Sequence, residues 1–280
     1  MRRKRSALYR VRRTAVHALL ILACLVTTFP IYWGIATSLK GAESVVAFPP
    51  EWVPDPITFE NYRAVLQSEM PRYYANSLIV GVATIVVTLF IALHAGYAAA
   101  RFQFRGKGAL LFLILCTIMI PGIAVLIPLY MLSAKLGLHN TYLVLILIYS
   151  AGQVPTALWL MQGFFESVPE ELEEAALVDG ASRLRALYFI ALPLTRPGLA
   201  AAAVVIFVYV WNEFILAVTL TATNEMRTVP VGLYFYITAY GIEWGKLLAG
   251  VGFAVIPVLV LFVLLQRSFI KGLTAGATKG

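Results

Sequence analysis

Glu170, Glu171, Glu173 and Glu174, followed by Asp179, crowd one short acidic segment, residues 167–193. Carboxylates at that density could hold a cation. A calcium loop, however, winds its oxygen ligands around a glycine turn, whereas these four glutamates fall on one helical stretch and read as a solvated face. His17, His94 and His139 are scattered, with no H-E-x-x-H pair and no Cys/His cluster at metal-ligand spacing. A phosphate-cradling G-x-x-x-x-G-K-[ST] loop is missing too, since Gly106-Lys107-Gly108 lacks the upstream Gly and the Ser or Thr. No catalytic residue and no metal site is expected, and this chain binds no cofactor of its own in this reading.

The acidic segment reads instead as a docking element. Ser167 with Glu170 three residues on matches a capping box, which satisfies orphan amides at a helix start. The glutamates occupy the first turns, where the positive end of the helix dipole favours carboxylates. Val168, Leu172, Ala175 and Ala176 recur at helical spacing as one narrow apolar stripe. Asp179-Gly180 ends that helix, and Ser182 caps a second one carrying Leu184, Leu187, Tyr188 and Ala191 on one side.

The elements around this segment are apolar. Hydrophobic residues make up 60% of the 280 positions and charged ones 13%, the composition of a polytopic membrane protein. An all-α fold follows, with six spans at about 14–39, 73–100, 108–134, 141–165, 197–220 and 247–266, each long enough for a hydrocarbon core of about 30 Å. They define a transmembrane domain at 14–270, flanked by a basic tail at 1–13 and a tail at 271–280. With the N-terminus inside, 16 of the 22 Lys and Arg fall on inner segments, the positive-inside bias, and both termini and the insert are then cytoplasmic. The net charge of +8 therefore reads as a juxtamembrane anchor rather than a nucleic-acid patch. No cleaved signal peptide is expected, because the first apolar run is too long and continues through Pro30 to Trp33. Cys24 and Cys116 both fall inside spans, which argues against a disulfide framework.

Other residues carry chemistry inside or beside the spans. Glu213 is the one acidic residue within an expected span, which makes it a functional candidate. Trp211-Asn212-Glu213 has an aromatic face and polar groups suited to a sugar, and the same residues could equally shape the pore. Pro121, Pro128 and Pro155 are expected to kink their helices. Five prolines limit regular structure in the outer segment 40–72. The outer segment 221–246 concentrates Tyr234, Phe235, Tyr236, Tyr240 and Trp244, either as an interfacial aromatic belt or as a surface for a partner.

The string EELEEAALVDGASRLRALYFIALP resembles the EAA loop of binding-protein-dependent ABC importer permeases, through Glu174-Ala175-Ala176, Asp179-Gly180-Ala181 and Pro193 at the family's spacing. The likeness runs the length of the chain. The six spans, the Pro-rich first outer loop, NTYLVLILIY, WNEFILA and the closing GLTAGATKG are similar to the carbohydrate subclass, with Ala277-Thr278-Lys279 where a Val before the Lys is usual. The resemblance implies an ABC importer permease fold in a prokaryotic inner (plasma) membrane. It also implies a homologous second permease, two ATPase subunits that bind ATP and Mg, an extracytoplasmic substrate-binding protein, and no nucleic acid.

In that frame the insert is a coupling helix. Leu172, Ala175 and Ala176 would fill an ATPase cleft and Glu174 would meet basic groups at its rim. Asp179 would accept backbone amides, and Gly180 would allow the turn or a close approach. ATPase closure would then push on the fourth and fifth spans. Thr274, Gly276 and Lys279 would reach the ATPase, Tyr234, Tyr236 and Tyr240 would meet the binding protein, and Trp211, Asn212 and Glu213 would line the substrate pathway. The expected cargo is a sugar, a di- or oligosaccharide. The alternative is a glycerol phosphate or glycerophosphodiester, which would favour basic residues along the path; the expected spans contain none.

Overall fold

A computed structural model describes the backbone of residues 2–277 and the side chains of residues 12–266. The chain divides into two compact units, residues 1–68 with 236–253, and residues 69–235 with 254–280. In the first unit, α1 (Arg2–Ser38) and two short helices, α2 (Ala42–Val45) and α3 (Glu60–Gln67), are tied together by polar groups. Asn61 Nδ2 donates to the Ser38 and Lys40 carbonyls at 3.0 and 2.8 Å. Lys40 is buried, donates to the Glu51 carbonyl and lies 4.4 Å from the Trp33 ring centre. These bonds give the proline-rich segment an order that propensity alone would not.

The second unit carries most of the apolar helix. It begins with α4 (Met70–Arg101), whose Pro71 sits in the first turn, where no amide donor is needed. Next come α5 (Lys107–Ile118) and α6 (Gly122–Lys135), bent 94° from each other at Pro121. α7 (Tyr142–Glu166) is capped by Thr141, which accepts from the Val144 amide. The insert holds α8 (Glu170–Val178), α9 (Arg183–Ala186), a π-helical turn at Leu187–Ala191 and α10 (Leu192–Leu194). α11 (Arg196–Asn212), α12 (Ile215–Leu220) and α13 (Val229–Tyr234) follow. A two-stranded antiparallel hairpin, β1 (Ile237–Thr238) and β2 (Gly241–Ile242), belongs to the first unit and leads into α14 (Trp244–Ala277).

α4 and α7 form the centre of the second unit, with Val80, Tyr97, Leu145, Met161, Phe165 and Ile206 buried between the helices. Their close approach depends on Gly96: a Cβ there would lie 2.9 Å from Met161 Cβ, 3.1 Å from the Gln162 nitrogen and 3.2 Å from the Leu158 oxygen.

Among the described residues four helical segments are long and apolar enough to cross a membrane: Arg12–Ser38, Met70–Arg101, Tyr142–Glu166 and Trp244–Gln266. There are up to six if each of two bent pairs is one span, α5 with α6 and Arg183–Leu194 with α11, the latter bent by 77°. Two expected spans therefore differ from uninterrupted helices. The 108–134 stretch breaks at Pro121, which has no amide to continue the ladder. The 197–220 stretch breaks at Glu213, where the backbone turns extended at ψ 123°.

Candidate functional site

The insert is held through Glu173, one of the four glutamates expected on a solvated face. Glu173 is 2% exposed. Its carboxylate accepts from Tyr97 OH at 2.6 Å and from Arg101 Nε at 2.9 Å. Arg101 Nη2 also donates to the Val168 carbonyl at 2.8 Å. Three of the four glutamates, Glu170, Glu171 and Glu174, are exposed as expected, while Glu173 turns inward with Ala176 and Leu177 beside it. A turn of 100° per residue puts Glu171, Ala175 and Val178 opposite Glu173, with Leu172 and Asp179 on one flank and Glu174 on the other.

The expected apolar stripe is corrected accordingly. Val168 is buried under Arg101 and Ala176 is half-buried, whereas Leu172 and Ala175 are exposed and Val178, not counted in the stripe, is 88% exposed. The expected capping box does not form. Ser167 closes the end of α7, its Oγ donating to the Phe164 carbonyl at 2.6 Å, and α8 starts at Pro169 without a side-chain cap. The first turn of α8 relies on its glutamates and the dipole instead.

The far end of α8 is a Schellman turn. The Ala181 amide bonds the Ala176 carbonyl at 2.9 Å and the Gly180 amide bonds that of Leu177 at 3.1 Å, with Gly180 at φ +87°. Nothing lies within 4 Å of where a Gly180 Cβ would stand. Glycine is required there by backbone conformation, not by packing within this chain. Asp179 was expected to accept amides; it is exposed, and its carboxylate has no hydrogen-bond partner among the described residues. Ser182 does cap α9, accepting from the Arg185 amide at 3.3 Å. Of the second apolar side, Leu187 and Ala191 are buried, while Leu184 and Tyr188 are exposed. Tyr188 OH meets His94 Nε2 at 2.8 Å.

Glu213 sits at the break between α11 and α12. Its Oε1 accepts from the Leu216 amide at 2.8 Å, and its Oε2 accepts from the Ala217 amide at 3.0 Å and from Tyr149 OH at 2.6 Å. This carboxylate caps α12, satisfying orphan donors that would otherwise be stranded. Trp211 is buried, stacks on Phe207 with ring centres 5.2 Å apart, and donates to the Ala254 carbonyl at 3.0 Å. Asn212 is exposed and bonds back to the Val208 carbonyl. The three pathway candidates are therefore adjacent but turned to different tasks, and only Asn212 is open.

At the other end of the second unit, a polar cluster orders the loop after α12. Asn140, at φ +60°, accepts from the Ala222 and Thr223 amides at 2.8 and 3.1 Å. Asn76 donates to the Glu225 and Arg227 carbonyls and accepts from Tyr142 OH. Hydrogen bonds from Thr223 and from its own backbone amide, with a smaller contribution from the Arg72 charge, hold the Glu225 carboxyl below its usual pKa against desolvation. None of these roles was read from the sequence beforehand, although Asn140 and Tyr142 stand in the NTY string. Tyr234 is exposed beside Phe214, ring centres 5.3 Å apart. In the first unit, Tyr236 is half-buried and Tyr240 stands fully exposed at the hairpin tip. Thr274 and Gly276 are described in their backbone only, and Lys279 lies outside the described residues.

Several helices long and apolar enough to cross a membrane, with a short helical insert anchored on one of them through Glu173 and Arg101, are the architecture of a multi-pass membrane protein. Residues 91–274 match the family described as binding-protein-dependent transport system inner membrane component, and the chain belongs to that family. It is a permease subunit of an ABC transporter, without catalytic activity of its own. It is 34% identical to a probable ABC transporter permease of Bacillus subtilis, over 96% of this chain and 90% of the relative. It is 36% identical to the diacetylchitobiose uptake system permease of Streptomyces coelicolor (90% and 92% covered) and 36% identical to the trehalose/maltose transport system permease of Thermococcus litoralis (93% and 94%). The fold matches a chain of a bacterial ABC transporter that imports the acidic polysaccharide alginate, with a TM-score of 0.82 and 24% identity over 93% of this chain and 97% of that one.

Proposed function

We propose that this chain carries a neutral di- or oligosaccharide across the prokaryotic inner membrane, and that α8 is the piece through which an ATPase partner drives it. The carrying observation is α8 itself: Glu173 and Arg101 fix its inner side, Gly180 ends it in a left-handed turn, and Leu172, Ala175, Val178 and Asp179 remain open on the outside. An amphipathic helix laid into a groove of a partner is a recurring mode of recognition. Glu174 at the flank would meet basic groups at the rim. The partners in this reading are a homologous permease, two ATPase subunits that bind ATP and Mg, and an extracytoplasmic binding protein that meets Tyr234, Tyr236 and Tyr240. Both termini are cytoplasmic, and the tail around Thr274, Gly276 and Lys279 reaches the ATPases.

The sugar assignment rests on two of the relatives named above, whose names state sugar cargo, and on expected spans without internal basic residues. The glycerol phosphate alternative gains nothing from those relatives. The test is ATP hydrolysis by the complete transporter in nanodiscs, with its binding protein, across disaccharides, oligosaccharides and glycerol phosphates. Stimulation by a neutral sugar, lost in Gly180→Val, is the expected result. Stimulation only by a glycerol phosphate would overturn the cargo assignment while leaving the coupling role intact.

A further inference from the structure

We infer that movement of α8 is delivered directly to α4, and that Arg101 is the positioning residue that delivers it. This inference rests on the coupling role proposed for α8. By chain connectivity alone the insert can act only on α7, which precedes it, and α11, which follows it. The side chains add a third route.

His94, Tyr97 and Arg101 follow one another at spacings of three and four residues, which places them on one face of α4. Each grips a different point of the insert. Arg101 holds the start, with Nη2 donating to the Val168 carbonyl at 2.8 Å and Nη1 lying 3.6 Å from Glu170 Oε1. Arg101 and Tyr97 together hold the middle through both oxygens of Glu173, at 2.9 and 2.6 Å. His94 holds the π-helical turn through Tyr188, at 2.8 Å. The Arg101 and Glu173 side chains are 5% and 3% exposed. A buried ion pair cannot be pulled apart without leaving an uncompensated charge, so it resists separation far more than a surface pair does. The rigid guanidinium fork fixes direction as well as distance, which a lysine ammonium does not. With grips at its start, middle and far side, the insert cannot pivot on its two connections. It moves with the end of α4, and α4 is the helix packed most extensively on α7.

The test measures sugar molecules imported per ATP hydrolysed by the complete transporter, with its binding protein, reconstituted in sealed proteoliposomes. The double variant R101Q/E173Q removes both buried charges at once and so avoids the stranded charge of either single change. Its import per ATP is expected to fall at least about fivefold, the lower end of typical coupling between two sites. Tyr97→Phe, which loses one hydrogen bond, is expected to lower it about threefold. A role confined to stability would reduce the amount of assembled complex and leave this ratio unchanged. A wild-type ratio in R101Q/E173Q overturns the inference, and if that variant does not assemble, a wild-type ratio in Tyr97→Phe overturns it. Gly180→Val separates the two readings. If it stays coupled, the role of α8 itself fails; if it uncouples while R101Q/E173Q does not, only the route through α4 is lost.

Discussion

Replacing Glu213 by Gln asks whether its carboxylate serves the fold or the cargo. The wild-type group accepts three hydrogen bonds, two from the first amides of α12 and one from Tyr149. A glutamine keeps one acceptor oxygen. If that oxygen faces Tyr149 and Ala217, its NH2 meets the Leu216 amide, donor against donor. If it faces Leu216, the Ala217 amide is the donor left over. One unmet donor costs about 1–3 kcal/mol, and losing a negative charge at a helix N-terminus costs about 0.3–1 kcal/mol more. The variant should therefore unfold about 1–4 kcal/mol more easily in mixed micelles. The affinity of the assembled transporter for its sugar should stay unchanged. In the Glu213→Gln background a second change, Tyr149→Phe, should cost less than it does alone, because the charge that strengthens the Tyr149 bond is already lost. Full stability combined with weakened sugar affinity would refute the capping role and make Glu213 a cargo ligand.

Gly180→Asn should keep coupling while Gly180→Val loses it, since asparagine visits the left-handed region and a β-branched residue does not; unfolding of the valine variant should be easier by about 1–2 kcal/mol. Gly96→Ala puts a Cβ against Met161 and two backbone atoms, and should cost about 1–3 kcal/mol in the same unfolding assay. Normal stability there would mean that α4 and α7 separate more easily than their packing implies. Asn140→Ala removes two bonds to the 222–223 amides and puts alanine at positive φ, a loss of about 2 kcal/mol. Hydrogen exchange at residues 221–226 should rise in this variant and not in Asn212→Ala.

The helical scaffold could be read from apolar runs because each run is local: its length decides whether it spans, and the basic residues decide where it stops. The breaks could not be read the same way. Pro121 marks where a ladder is interrupted, yet it says nothing about the 94° by which the next arm is re-aimed. Glu213 looked like a cargo group because its chemistry suits a sugar. The partner that redirects it, Tyr149, lies 64 positions away. The same limit applies to the insert. Four glutamates look alike in sequence, and only Arg101, 72 positions earlier, singles out Glu173. Ser167 and Glu170 had the spacing of a capping box, but α7 runs to Glu166 and takes Ser167 for its own end. By contrast, Asp179-Gly180 and Ser182 were legible because a left-handed turn and an N-cap depend on a few neighbouring atoms.

The bend at Pro121 bears on how this protein survives its own synthesis. Met119, Ile120 and Ile123 around it are exposed in the single chain, and the helical ladder is broken there. Irregular backbone at membrane depth is tolerated only against protein or water, not against lipid. In the assembly proposed above, a newly inserted copy would therefore need a second permease, or water, against this break before its backbone groups are satisfied.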